Sequence, residues 1–231
     1  MSVTDAMDWV NVSEHTAVDW YNFCREVCEV IISNQWQPIG GPNTFVEIDE
    51  SHLCHRKYYR GKILKTEGVW VFGGVCRETG EGFAVRVPNR ELVSLRPCIE
   101  MFIAPGSIVM SDKWSAYMEM PWAEMGITLH LPINHTEEYS NRDLNDSDDD
   151  EPGLIHTNTI ERKWREVKKR VKSYKLDAVD KYLCEFSFRS QFLDHLPNKT
   201  LAFLAFIEHV KSVYPGGFKL GLSLVSVPST G

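Results

Sequence analysis

The sequence predicts an α/β fold built on a mixed sheet flanked by helices, and three observations carry that expectation. Strand-like periodicity starts abruptly at Asn43 and is sustained to residue 88. Single strands and helices then alternate up to residue 134, and from Thr157 onward the patterning is helical throughout. At 231 residues with 43% hydrophobic content, the chain is long enough for one main core and a small appendage.

Residues 12 to 33 open the chain with a helical pattern. Ser13 is the N-cap, Glu14 suits the positive helix end, and Val18, Tyr21, Val27 and Ile31 form an apolar face at helical spacing. The run NQWQPIGGPN, with Pro38, Gly40, Gly41 and Pro42, breaks the helix. FVEIDESHL then alternates, placing Phe45, Glu47 and Asp49 on one face and Val46, Ile48 and Glu50 on the other. GVWVFGGVC (68 to 76) is nearly continuously apolar, the pattern of a central strand covered on both faces, and ETGEG turns it into FAVRVPN as a hairpin. ELVSLRPCIEMFI predicts a helix with Pro97 either in its first turn or at a kink. SIVMSD predicts a strand ending at Asp112, DKWSAYMEM a short helix and ITLHLPIN a further strand. Helices are expected over 159 to 173, 177 to 192 and 200 to 214, followed by a tail without clear periodicity.

Composition narrows the function classes. No stretch of about 18 apolar residues exists, and MSVTDAMDWVNV lacks a charged start followed by an apolar run, so a soluble protein that is neither secreted nor membrane-bound is expected. Cysteines 24, 28, 54, 76, 98 and 184 include no CxxC pair, which argues against a zinc ribbon or a disulfide framework and for reduced, mostly buried thiols. The net charge of −7 is at odds with nucleic-acid binding until its distribution is considered. Asp143, Asp146, Asp148, Asp149, Asp150 and Glu151 concentrate six negative charges in one predicted loop, whereas residues 161 to 175 carry eight Lys or Arg against two Glu.

Three acidic residues in separate contexts stand out: Asp49 inside a strand, Asp112 at the end of another, and Glu161 at the head of the basic helix HTNTIERKWREVKKR. Each has an ordinary explanation, as a solvated strand residue, a helix N-cap and a first-turn dipole partner respectively. Together they match the requirement of phosphodiester chemistry for hard divalent cations held by carboxylate oxygens, if the two strands lie side by side and the helix packs across them. In that helix Ile160, Trp164, Val167, Val171 and Tyr174 build a core-facing stripe. Glu161, Arg165, Lys168 and Lys172 run at the same steps one residue over, a line suited to a metal at one end and DNA phosphates along the rest. Asn158 precedes Glu161 by one turn and suits either a phosphate contact or a cap; Glu47 and Glu50 flank Asp49 as accessory candidates, and His135 and His156 suit structural or phosphate-contacting roles.

The motifs FVEIDES, GVWVFGGVCRETGEGFAVRVPNR, IAPGSIVMSDKWSAY, LPINH and IHTNTIERKWREVKKR, in that order, resemble the catalytic domain of DDE transposases, in particular the Merlin superfamily with its related bacterial insertion-sequence transposases. The resemblance covers residues 43 to 192. It implies a ribonuclease-H-like fold, two Mg²⁺ or Mn²⁺ ions held by Asp49, Asp112 and Glu161, and cut-and-paste transposition in which a nicked transposon end supplies a 3′-hydroxyl that attacks target DNA. It also implies DNA as partner, action as a homodimer and a nuclear location. Residues 1 to 37 resemble the end of a helix-turn-helix, a helical remnant of a recognition region, and 193 to 231 form a C-terminal helix and tail. The connection from Asp112 to Glu161 is longer than usual for the family, and a surface-loop insertion there costs little. Two other functions remain open: a truncated or domesticated derivative that binds DNA or protein without catalysis, and a ribonuclease-H-like nuclease.

Overall fold

The computed structural model describes residues 3–53, 69–133, 157–171 and 179–216. Helices α1 (Val3–Val10) and α2 (Glu14–Gln35) lead into strands β1 (Phe45–Leu53), β2 (Val69–Cys76) and β3 (Gly82–Val87). Helix α3 (Leu92–Phe102), strand β4 (Ile108–Asp112), the single turn α4 (Ser115–Met118) and strand β5 (Leu129–Ile133) follow. Helices α5 (Asn158–Val171), α6 (Val179–Phe192) and α7 (Lys199–Val213) complete the described chain. The acidic run at 143 to 151, His135, His156, Lys172, Tyr174 and Cys54 lie outside the described residues.

The five strands form one sheet in the order β3-β2-β1-β4-β5. β1 pairs antiparallel with β2 and parallel with β4, β2 pairs antiparallel with β3, and β4 parallel with β5. This is the expected α/β mixed sheet, and its antiparallel half joined to a parallel half is a ribonuclease-H-like arrangement. Alternation along the strands sorts side chains to two faces. Val46, Ile48, Phe72, Phe83 and Val87 pack with Leu95 and Ile99 of α3 and with Ala116 and Tyr117 of α4. Leu53, Val69, Val71, Val75 and Ala84 pack with α5 and α6 on the opposite face. A third cluster joins α2 to α6, with Val27, Cys28 and Ile31 against Phe188 and Leu193 and with α7 packed alongside.

Most elements match their expected spans, with three corrections. α1 has no counterpart in the sequence expectation; it ends at Asn11, whose φ of 53° is the left-handed conformation that terminates helices and that Asn tolerates. Pro97 is the sixth residue of α3, outside the first turn, where its missing N–H would have bonded the carbonyl of Val93. Val93 is 71% exposed, so water can serve that carbonyl. Asp112 does not cap α4, whose N-cap is Trp114. The five described cysteines are free thiols, two buried and three partly buried. Among the described residues no helix is long and apolar enough to cross a membrane.

Helix α5 is positioned by two contacts with the sheet. Ile160, Trp164, Val167 and Val171 are buried, the stripe expected from the sequence. Glu47, fully buried in β1, accepts the backbone N–H of Ile160 at 2.9 Å and pairs with Arg77. A strand carboxylate thus serves an N–H in the first turn of α5, where helix donors lack intrahelical partners. One turn on, the Trp164 ring lies over Gly73, which pairs with Asp49 across β1 and β2. A methyl group at Gly73 would come within 2.7 Å of both the indole and the Phe83 carbonyl. Gly73→Ala is therefore expected to destabilise the fold by about 1–3 kcal/mol through overpacking, a fall in Tm of roughly 2–4 °C per kcal/mol for a chain of this size, read by thermal denaturation. Gly80→Ala, with nothing within 4 Å of the added carbon but a φ of +73°, is the control that isolates backbone strain from the clash.

Candidate functional site

Two of the three predicted acids come together on the sheet. β1 and β4 run side by side with Phe45 beside Ile108 and Glu47 beside Met110; Asp49 and Asp112 each lie two residues beyond this paired stretch, close enough for the charge of Asp112 to act on Asp49. Val109 points into the core under α3 and α4, so by alternation Asp112 shares the side of Asp49 that α5 covers. The Asp49 carboxyl senses the charge of Asp112. Burial and the charge of Glu50, with a further contribution from Asp112, push the Asp49 carboxyl up to about 7, opposed by the Glu50 backbone N–H and the Trp164 indole.

The indole of Trp164 donates to Oδ2 of Asp49 at 3.0 Å. Oδ1 of Asp112 accepts the backbone N–H of Trp114 at 2.9 Å, and the Arg90 guanidinium approaches its Oδ2 at 3.9 Å. Ser111 donates to the Asp112 carbonyl at 2.8 Å and lies 2.8 Å from Nε2 of His130, whose ring stacks on Trp122. Burial pushes His130 down to about 4, so at neutral pH it is an uncharged imidazole that tethers the end of β4.

Glu161 is in the first turn of α5 and exposed, its backbone N–H bonded to the Thr157 carbonyl at 3.2 Å. Docking brings its helix against Asp49 through Trp164. It does not assemble a ready triad: among the described residues no three His, Cys, Asp or Glu side chains stand close enough to hold a metal ion. Arg165 and Lys168 are exposed on the same line as Glu161, and Asn158 is the partly buried first residue of α5. The Asp49–Asp112 pair nevertheless suits a divalent cation. Two neighbouring carboxylates, one raised to about 7 by burial and adjacent negative charge, form an oxygen-donor site with excess negative potential.

The structure gives the accessory candidate Glu50 partners, Arg90 and Tyr117, that sequence patterning did not single out. Glu50, on the opposite face from Asp49, accepts from Nε and Nη2 of Arg90 at 3.2 and 3.0 Å and from the buried Tyr117 hydroxyl. Burial raises the Glu50 carboxyl while these donors oppose the rise, and burial followed by the Glu50 charge raises the Tyr117 phenol. Arg77 beside Glu47 and Trp164 beside Asp49 complete the set. The sequence held one usable signal for them, the three acids at 47, 49 and 50 in a strand otherwise fit for burial, which called for partners from elsewhere in the chain.

The raised Asp49 carboxyl makes metal-free stability pH-dependent. Unfolded, the group titrates near its ordinary 3.8; folded, it holds its proton up to about 7. The folded state therefore binds the extra proton, and this contribution to stability is fully present below pH 4 and lost as pH rises through 7. Asp49→Asn, which is never charged, is expected to melt above the wild type in the absence of metal at pH 8, by roughly 2–8 °C for a relief of about 1–2 kcal/mol, the gap shrinking toward pH 4 in thermal melts across that range.

Residues 39–191, well over half of the chain, match the model of the ISXO2-like transposase domain. No protein of curated function matches in sequence. Among solved structures, the chain is similar to the catalytic core domain of BIV integrase, with 14% identity, a TM-score of 0.40 and coverage of 74% of this chain and 97% of that one. It is also similar to a chain of the simian T-cell lymphotropic virus intasome in complex with the PP2A regulatory subunit B56γ, with 13% identity, a TM-score of 0.43 and coverage of 84% and 66%. Both structural likenesses are distant. The extent of the family match, over a chain folded as a mixed sheet flanked by helices, places this protein in the ISXO2-like transposase domain family.

Proposed function

We propose that this chain is a DDE-type transposase that cleaves DNA strands and joins them to target DNA with divalent metal ions, and that Asp49, Asp112 and Glu161 are its metal-holding carboxylates. The observation that carries the reading is the proximity of Asp49 to Asp112 near the ends of neighbouring parallel strands, close enough for the charge of Asp112 to act on the Asp49 carboxyl, beside a helix whose exposed line runs from Glu161 to Arg165 and Lys168. Bound Mg²⁺ or Mn²⁺, two ions in this reading, supplies an activated oxygen nucleophile and neutralises charge on the leaving oxygen. The chain's own residues do the rest. Trp164 holds one oxygen of Asp49, while Glu47 fixes the height of α5 over β1. Arg165, Lys168, Lys172 and Asn158 contact backbone phosphates and hold the strand in register. Nicking at a transposon end frees a 3′-hydroxyl, which attacks target DNA in the same site.

The order of the motifs favours a Merlin-type transposon within the family. DNA ends and target are the partners, a homodimer the working form and the nucleus the place of action. Residues 43 to 192 form the catalytic domain in this reading, with a helical segment before it and a helix and tail after it. A second reading is a derivative that binds DNA without cutting it, in line with the finding that among the described residues no three His, Cys, Asp or Glu side chains form a group able to hold a metal ion.

Cleavage and strand-transfer assays on transposon-end DNA separate the two. In the first reading Asp49→Ala, Asp112→Ala and Glu161→Ala each lower metal-dependent cleavage by about 100-fold or more, the loss of several kcal/mol of transition-state stabilisation. Undiminished cleavage by any one variant removes that residue from the assignment, and DNA binding without cleavage by the wild type selects the second reading. Cleavage without strand transfer marks a plain nuclease. Mn²⁺ is expected to raise the Tm of the wild type and to leave that of Asp49→Ala unchanged. In salt titrations of DNA binding, Lys168→Ala is expected to lower the slope of log affinity against log salt by about 0.9, one phosphate contact.

A further inference from the structure

Beside Asp112 the structure holds a ladder of flat side chains. His52 lies against Trp70 with ring centroids 4.7 Å apart. The Arg90 guanidinium sits 5.1 Å from the Trp70 ring and 4.2 Å from that of Trp114. Arg90 is fixed by its bonds to Glu50. Trp114 is fixed three times over, by its indole N–H to the Arg90 carbonyl at 2.9 Å, by its backbone N–H to Asp112 at 2.9 Å, and by the guanidinium on one face of its ring. A tryptophan so constrained is ordinarily core. Trp164 is 4% exposed, whereas Trp114 is 39% exposed, and Met118 one turn later is 58% exposed. The only polar atom of the indole is spent inside the chain, so what Trp114 offers to solvent is a rigid apolar π surface.

We propose that Trp114 is a stacking platform for an unpaired nucleobase next to the scissile phosphate, adding one flat group to the ladder His52, Trp70, Arg90 and Trp114. This rests on the DNA-cleaving reading above. Three features select a base over another occupant. Trp114 is hydrogen-bonded to Asp112, so a base upon it is a neighbour of whatever phosphate the Asp49–Asp112 pair addresses. Cations flank the position, with Arg90 beneath the ring and exposed Lys113 before it in sequence, and cations suit a polyanion's backbone. Base stacking on a fixed aromatic ring needs no hydrogen bond from the indole and tolerates any sequence. A paired base keeps its faces within the duplex, so the platform favours an end or a flap whose base is free.

Fluorescence binding with the full chain tests this, using a blunt DNA duplex and the same duplex with a two-nucleotide unpaired end containing 2-aminopurine. The wild type is expected to bind the unpaired end about tenfold more tightly than the blunt duplex, a typical gain for one stacked base, and to quench the 2-aminopurine. Trp114→Leu, apolar but without a π face, should lose both the preference and the quenching while binding the blunt duplex as before. Trp114→Phe should keep most of both, which guards against a mere folding defect in the leucine variant. The proposal is overturned if Trp114→Leu binds the unpaired end as the wild type does, if it weakens both duplexes equally, or if the base is never quenched. Failure of the wild type to bind either DNA overturns the DNA reading as well; retained blunt-duplex binding with no Trp114 effect overturns the platform alone.

Discussion

A buried carboxylate in the central strand, Glu47, is the constraint on which the rest of the site depends. Taking a charge out of water costs several kcal/mol unless other groups compensate it, and removing one partner of such a pair is strongly destabilising. Glu47 is compensated by Arg77 at the far end of β2 and by the first turn of α5, elements brought together from sequence positions 30 and 113 residues away. The helix N-terminus gains an acceptor and the carboxylate gains a donor at the positive end of a dipole. Once Glu47 is satisfied, α5 has one height and one azimuth over the sheet. Trp164 then lands over Gly73 and beside Asp49, and Glu161 faces out at the head of the helix.

The three acids of β1 divide according to how fully each is compensated. Glu47 and Glu50 sit on opposite faces, and each is answered by an arginine and a further donor. Asp49, between them, receives one indole N–H and a backbone N–H and lies close to the charges of Glu50 and Asp112. Its carboxyl is the one pushed to about 7, so the excess negative potential of the strand is concentrated there. Structural acids on either side leave the central one available for chemistry.

How much of this was legible in the sequence follows from the range of each interaction. The alternation of FVEIDESHL put Glu47 and Asp49 on one face because strand periodicity is local, and the stripe from Ile160 to Val171 was visible for the same reason. The approach of Asp49 to Asp112 needed the parallel alignment of β1 and β4, which no local pattern encodes. Arg77 and Arg90 were invisible as partners because their acids lie 30 and 40 residues away. Trp164 was read correctly as core, yet its indole N–H, the atom that reaches Asp49, carries no signature in a hydrophobic stripe. Asp112 was open between cap and ligand; the structure shows its side chain binding Trp114 without capping α4, which leaves Oδ2 toward Arg90 and the site. Pro97 was open between the first turn and a kink; the structure places it in the interior of α3, one turn after the exposed Val93.

The long reach of the bond between Glu47 and Ile160 has a consequence for how the protein is made. Both aspartates and the strands that align them lie within the first 112 residues, whereas the helix that covers them begins at Asn158. Contacts of such separation close late, because the loop entropy is spent before any contact rewards it. A nascent chain therefore exposes its acidic pair well before Glu161, Arg165 and Lys168 have left the ribosome. The order of synthesis leaves the covering helix for last: the strands arrive first, and α5 is added only when the scaffold to receive it is already built.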